Sequence, residues 1–154
     1  MHDIDTIKNL FTNKNLTLSS AESYTGGLFA SYMTSISGAS KFFKGGAVTY
    51  YTEEKVRILD LNIEDLLKYG VVSSHTAVQM AFHCLEKFKT DYAVSFTGNA
   101  GPSTMENKPA GLVYICVCSN KKAICYEYRF EGARNEIREK SIDVAIELLK
   151  KILK

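Results

Sequence analysis

Apolar residues recur every three or four positions near the start of the chain, where Ile4, Ile7, Leu10 and Phe11 share one face. That period predicts a helix over 3–13, broken by Asn13-Lys14-Asn15. Leu16 to Ala21 reads as a first strand, and after a turn of Ser, Thr and Gly a helix is expected over 25–36, stopped by Ser37-Gly38. Phe42-Phe43 is an apolar anchor ahead of a second strand, 45–51. Short helices over 53–59 and 62–69 follow, the second stopped at Gly70. Ser74 is placed to cap a helix from about 75 to 88, whose Val78, Ala81, Phe82 and Leu85 form a stripe. A third strand covers 91–97, and a loop runs from Gly98 to about Pro109. Strand four, 111–119, is turned by Asn120-Lys121-Lys122 into strand five, 123–130, and a helix over 134–153 closes the chain.

Helices alternate with strands over the first two thirds, which favours parallel pairing. The closing hairpin forces an antiparallel pair, so the sheet must be mixed. The expected fold is α/β: a three-layer α/β/α sandwich around a five-stranded mixed sheet, in one domain over 1–154. The long loop after strand three is expected to line the binding crevice, as such loops do in open α/β sheets.

Composition narrows the function. With 154 residues, 45% of them hydrophobic and 23% charged, the chain reads as a soluble globular protein. A formal charge of +2 gives no case for nucleic acid. No apolar run reaches spanning length and no signal pattern opens the chain, so no membrane partner and a cytoplasmic address are expected. Cys116 and Cys118 are expected on opposite faces of one strand, and all four cysteines read as small buried hydrophobes. His2, His75 and His83 are unclustered, so no metal is expected.

Chemistry concentrates between Ser19 and Lys55. Ser23, Thr25, Gly26 and Gly27 join a strand to a helix, a setting in which free N–H groups can cradle a phosphate, or which is simply an ordinary helix start. Glu22 is placed to pin that turn by accepting backbone hydrogen bonds. Ser40 lies in a Gly-Ala-Ser turn, with Tyr50 and Lys55 shortly after. A desolvated lysine can take a serine's proton, and a tyrosine can relay it or orient the lysine. On spacing alone, the favoured reading is the plainer one, with Ser40 as a turn residue, Lys55 as a surface residue and Tyr50 as a packed aromatic. Thr97, Gly98 and Gly101 form a second glycine-bearing turn after a strand, able to offer N–H groups. Arg134 and Arg138, one helical turn apart, could hold a phosphate or face solvent.

Together these stretches resemble one family. Ala21-Glu22-Ser23-x-Thr25-Gly26-Gly27, Gly38-Ala39-Ser40, Gly45-Gly46-x-x-x-Tyr50, Lys55, Thr97-Gly-x-Ala-Gly-Pro102 and Gly132-x-Arg134-x-x-Ile-Arg138 look like the CinA C-terminal domain family, in order and over nearly the whole chain. That family includes stand-alone nicotinamide mononucleotide amidohydrolases. Its longer members carry an additional N-terminal domain similar to molybdopterin-binding proteins, which is expected to be missing here. The resemblance implies hydrolysis of the nicotinamide carboxamide to nicotinate mononucleotide and ammonia, without metal or organic cofactor. It implies Ser40 as nucleophile with Tyr50 and Lys55, and Ser23 as the rival. Substrate contacts fall on Ser23, Thr25, Gly26, Gly27, Gly46, Thr97, Gly98, Gly101, Arg134 and Arg138. A small-molecule pyridine nucleotide is the expected partner, and a homo-oligomer the expected assembly.

Two positions depart from the family pattern. Tyr24 stands where a cysteine is usual, and is expected to alter packing only. Asn99 stands for a small aliphatic residue, and is expected to add polarity beside the pocket. The competing reading is a non-catalytic nucleotide-binding or assembly module tied to DNA uptake or damage. A Rossmann dinucleotide site fits poorly, since Thr-Gly-Gly lacks the required glycine spacing.

Overall fold

A computed structural model describes residues 2–153. The elements run α1 (Ile4–Asn13), β1 (Leu18–Glu22), α2 (Leu28–Met33), a 3-10 turn (Ala39–Lys41), β2 (Phe43–Val48), α3 (Thr52–Leu59) and α4 (Ile63–Tyr69). They continue with α5 (Ser74–Phe88), β3 (Tyr92–Gly98), β4 (Leu112–Ser119), β5 (Ala123–Arg129) and α6 (Arg134–Leu153). The strand order is β2-β1-β3-β4-β5. β1 pairs parallel with β2 and β3, and β4 runs antiparallel to both β3 and β5. The mixed five-stranded sheet and the flanking helix layers are the architecture that the hydrophobic pattern predicts.

The period of two in each strand sorts side chains into two cores. Val94 and Phe96 of β3 and Val113, Ile115 and Val117 of β4 pack with α1, α2 and α6. Ala93, Cys116 and Cys118 pack on the other face with α5 and the ends of α3 and α4. Cys116 and Cys118 therefore share a face, as residues two apart on a strand must, and the expected opposite placement is corrected. β1 is an inner strand, between β2 and β3, and is buried along its whole length, polar residues included.

Among the boundaries that move, those of β1, β2 and α2 matter for the site. β1 extends to Glu22, because Ser23 N–H still reaches the Phe96 carbonyl at 3.1 Å. β2 starts at Phe43 rather than Gly45 and ends at Val48, so Tyr50 and Tyr51 stand beyond the strand on the turn into α3. α2 is only six residues long, beginning after Gly27 in the left-handed region (φ +97°). Gly46 has a packing reason: a Cβ there would lie 2.5 Å from Ser20 Oγ and 2.7 Å from the Ser20 carbonyl oxygen. Only glycine lets β2 approach β1 this closely.

Candidate active site

In a parallel array every strand delivers its C-terminal end to the same edge of the sheet. Here those ends are Ser23-Tyr24 after β1, Thr49-Tyr50-Tyr51 after β2 and Asn99 onward after β3. The chain leaves β1 toward α2 on one face and leaves neighbouring β2 toward α3 on the other, which opens a crevice at that edge. A cleft of about 230 Å³ lies there, lined by Ser23, Tyr24, Tyr50, Gly98, Asn99, Ala100 and Arg134, with Val71 and residues 103–105 closing one side.

Ser23 and Lys55 meet at the base of this cleft. Lys55 Nζ lies 3.1 Å from Ser23 Oγ and donates to the Thr49 carbonyl at 2.5 Å. Lys55 is fully buried, and among the described residues it makes no ion pair. An ammonium removed from water with no anion beside it is destabilised relative to the amine. Burial accordingly lowers the Lys55 pKa from its ordinary value to about 8. A lysine so placed can accept the proton of the adjacent serine.

Tyr50 and Arg134 stand at the mouth. Arg134 donates to the Gly101 carbonyl at 2.8 Å and to Tyr50 Oη at 3.0 Å. The first bond fixes the guanidinium against the loop after β3, so a permanent positive charge faces the opening.

Ser40 is not part of this constellation. It is exposed, in the 3-10 turn that precedes β2, and so lies at the strand's N-terminal end. Six residues of β2 separate the two ends, on the order of 17 Å at strand rise. The expected Ser40–Tyr50–Lys55 grouping is corrected on that ground: Lys55 contacts Ser23.

The turn expected to cradle a phosphate, Thr25-Gly26-Gly27, already has part of its donor set occupied. The buried Glu22 carboxylate already accepts from Phe29 N–H at 2.9 Å and Ala30 N–H at 3.0 Å. Leu28 N–H bonds the Thr25 carbonyl, and Ser31 N–H the Gly27 carbonyl. The donors at the start of α2 are spent, with a carboxylate where an anion would sit at a helix start, while the Thr25 hydroxyl is buried without a hydrogen-bond partner. Glu22 thus pins the turn in the manner the sequence suggests, and takes the two helix-start donors that a phosphate there would use.

The remaining expected contacts divide. Gly98 lines the cleft, and Gly101 presents its carbonyl to Arg134. Thr97 is buried, its hydroxyl spent on the Val71 carbonyl at 2.8 Å. Arg138 braces the Ser23 turn from behind through the Thr25 carbonyl at 2.9 Å. Gly46 is a strand-packing glycine, as described above.

Both departures from the family pattern have structural roles. Tyr24 is buried edge-on to Phe96, and its hydroxyl donates to Ser141 Oγ at 2.8 Å. Burial pushes its phenol far above the ordinary value. Asn99 spends its amide inside the loop: Oδ1 accepts from Met105 N–H at 3.1 Å, and Nδ2 donates to the Met105 and Lys108 carbonyls, both at 3.3 Å. It shapes the cleft wall instead of adding a free polar group to it.

Sequence reasoning missed Glu106, whose carboxylate accepts from Val71 N–H at 2.7 Å and Val72 N–H at 3.0 Å. Burial alone would raise its pKa, but those two N–H groups and Lys108 together hold it below the ordinary value. The loop is thereby tied across the cleft to the segment before α5. Nothing in the local pattern around Glu106 announces a bond 35 residues away.

The fold and the site define an α/β protein with a buried serine–lysine pair at the C-terminal edge of its parallel strands. A family model described as the CinA C-terminal domain matches residues 3–153. The chain belongs to the CinA C-terminal domain family.

It is 42% identical over 147 residues to a CinA-like protein of Flavobacterium psychrophilum, covering 94% of this chain and 35% of that one. A Mycoplasma pneumoniae protein, "Protein MG115 homolog", is 38% identical, with 92% of this chain and 90% of that one covered. The chain thus spans about a third of the length of the Flavobacterium relative and nearly all of the Mycoplasma one. Among solved structures, the competence/damage inducible protein CihA of Agrobacterium tumefaciens superposes with a TM-score of 0.94 at 36% identity, covering 98% of this chain and 93% of that one. Among the described residues, no helix is long and apolar enough to cross a membrane.

Proposed function

We propose that the chain hydrolyses the carboxamide of nicotinamide mononucleotide to nicotinate mononucleotide and ammonia, with Ser23 as the nucleophile and Lys55 as its base. The observation that carries this reading is the 3.1 Å contact between a fully buried lysine without an ion-pair partner and a serine on the cleft. A lysine pKa of about 8 leaves roughly a tenth of the amine neutral at pH 7. The neutral amine takes the Ser23 proton as Oγ attacks the carboxamide carbon. The resulting ammonium returns a proton to the departing nitrogen, which leaves as ammonia. Water, deprotonated by the same amine, then cleaves the acyl ester.

Arg134 supplies the fixed positive charge for the substrate phosphate, in place of the turn after β1, and Tyr50, held by Arg134, closes over the substrate. Family membership supports the substrate class, and the cleft suits a small molecule held partly open to solvent. Assembly into a homo-oligomer and a cytoplasmic setting belong to the same proposal.

The test is ammonia release by the purified protein from nicotinamide mononucleotide, its riboside and free nicotinamide. The mononucleotide should be turned over far more efficiently than the riboside, because only it carries an anion for Arg134. Absence of ammonia from all three would remove the amidase reading. Equal efficiency for mononucleotide and riboside would remove the phosphate contact and leave the serine chemistry standing.

A further inference from the structure

Beneath the sheet, on the face covered by α5, two thiols oppose each other across neighbouring strands. Cys116 of β4 and Cys125 of β5 are direct partners in the antiparallel ladder. The parity of the ladder is fixed from both ends. Ser119 N–H bonds the Lys122 carbonyl at 2.9 Å, and Phe130 N–H bonds the Gly111 carbonyl at 2.9 Å, so these are hydrogen-bonded pairs. Hydrogen-bonded pairs alternate with non-hydrogen-bonded ones, which makes 116/125 a non-hydrogen-bonded pair. Its Cα atoms are then about 4.5 Å apart, with side chains closer than at the alternate sites. A disulfide needs Cα atoms about 4.4–6.8 Å apart, so the backbone accepts the bridge as it stands.

The other two thiols lack this arrangement. Cys118 faces Ala123 across the ladder. Cys84 sits on α5 with its thiol on Ser19 Oγ at 3.3 Å. Of the facing pair, Cys116 is fully buried, whereas Cys125 is partly exposed on an edge strand. Their thiols also differ in acidity. Beside Cys116 the Cys125 pKa is drawn below the ordinary thiol value, and the Cys125 S–H points to the Ser74 carbonyl at 3.9 Å. The contact with Cys125, together with burial, raises the Cys116 pKa. Thiolate character and access thus coincide on Cys125, which is the pattern of an attacking cysteine beside its resolving partner.

We propose that Cys116 and Cys125 form a reversible oxidation site, in which a peroxide converts the facing thiols to a cross-strand disulfide. The Cys125 thiolate attacks one peroxide oxygen. The O–O bond breaks and hydroxide leaves, taking up a proton to become water. The sulfur of Cys116, losing its own proton, then displaces the hydroxyl of the Cys125 sulfenic acid as a second water. Two thiols and one hydrogen peroxide become one disulfide and two waters, and the two electrons lost by the sulfurs are gained by the peroxide. This site is independent of the amidase reading.

The test is thiol counting and peptide mapping of the folded, full-length protein treated with hydrogen peroxide and then alkylated. Accessible and buried thiols together, read after denaturation, should fall from four to two, and dithiothreitol should restore all four. Trypsin cuts after Lys121 and Lys122, between the two sulfurs, so the bridge appears as a crosslinked peptide pair. Cys118→Ala separates Cys116 from the cysteine on its own peptide and should leave the crosslink unchanged, as should Cys84→Ala. Cys125→Ala should abolish it. Four thiols surviving the treatment would overturn the proposal. So would a bridge that disappears in Cys118→Ala, or conversion of Cys125 to sulfinic acid with Cys116 still free. The wild-type measurement needs no variant to fold, so the proposal stands or falls on it alone.

Discussion

Two serine turns in this protein look alike in sequence and differ in almost everything else. Ser23 and Ser40 both lie in short turns with glycine nearby, and each turn has a lysine close in space. Ser23 follows β1, is nearly buried, and contacts a lysine removed from water. Ser40 precedes β2, is exposed, and shares its turn with Lys8, whose ammonium is solvated and bonds the Ser37 carbonyl at 2.8 Å. What separates the turns is strand direction: the chain passes Ser23 at the C-terminal edge of the parallel strands and Ser40 at the opposite one. Local motif chemistry becomes catalytic only where topology gathers several strand ends.

The largest effect that sharpens this contrast is expected at Lys55. Lys55→Met removes the base and should lower amide turnover by roughly a thousandfold. It should also stabilise the protein at neutral pH. The native lysine titrates near 8 and its ordinary value is 10.5, so below about pH 8 both native and unfolded states carry the charge, and burial of that charge costs up to about 3 kcal/mol. Between those two values the native amine is neutral while the unfolded one is still protonated, so wild-type stability rises with pH. Denaturation of both proteins across this range should show the advantage of Lys55→Met shrinking as pH climbs from about 8 to 10.5. A mutant less stable than wild type at pH 7 would contradict the buried, unpaired ammonium.

A smaller effect is expected at the mouth. Arg134→Met removes the fixed charge and the bonds to Gly101 and Tyr50. KM for the mononucleotide should rise roughly tenfold or more, with a lesser change in kcat, while the riboside is little affected. An equal change for both substrates would show Arg134 to be structural. The smallest of the three is expected at the loop. Glu106→Gln replaces a carboxylate that serves two N–H groups and should cost about 1–2 kcal/mol in chemical denaturation. The loss should vanish below the carboxyl's own titration range, because protonated Glu106 already lacks the charge. Persistence of the difference at low pH would mean that packing, not charge-assisted bonding, holds the loop.

Most of the fold was legible because its strands and helices carry strong periodicity, and because a three-residue turn between strands four and five leaves only an antiparallel solution. Of the expected site residues, Ser23, Tyr50, Gly98 and Arg134 line the cleft and Lys55 meets Ser23, while Ser40 lies apart from them. Ser40, Tyr50 and Lys55 are neighbours along the chain, and sequence proximity stood in for spatial proximity. The order of elements held the better signal: Ser23 ends the first strand of a parallel set, and Ser40 begins the next. By contrast, the bonds Tyr24–Ser141, Glu106–Val71 and Arg138–Thr25 span 117, 35 and 113 residues, and depend on how helices dock on the finished sheet. Glu22 shows a further limit. A carboxylate beside a glycine turn reads as a pin for the backbone, but which N–H groups it takes, those of Phe29 and Ala30, depends on how the turn closes.

The two serines themselves provide the most direct measurement: ammonia release from nicotinamide mononucleotide by Ser23→Ala and Ser40→Ala, each checked for an unchanged melting transition. Ser23→Ala should lose at least about a thousandfold in kcat with the fold intact, because the covalent route needs its hydroxyl. Ser40→Ala, an exposed substitution away from the cleft, should stay within about a factor of two of wild type. Near-normal turnover by Ser23→Ala, or a folded but inactive Ser40→Ala, would contradict the assignment.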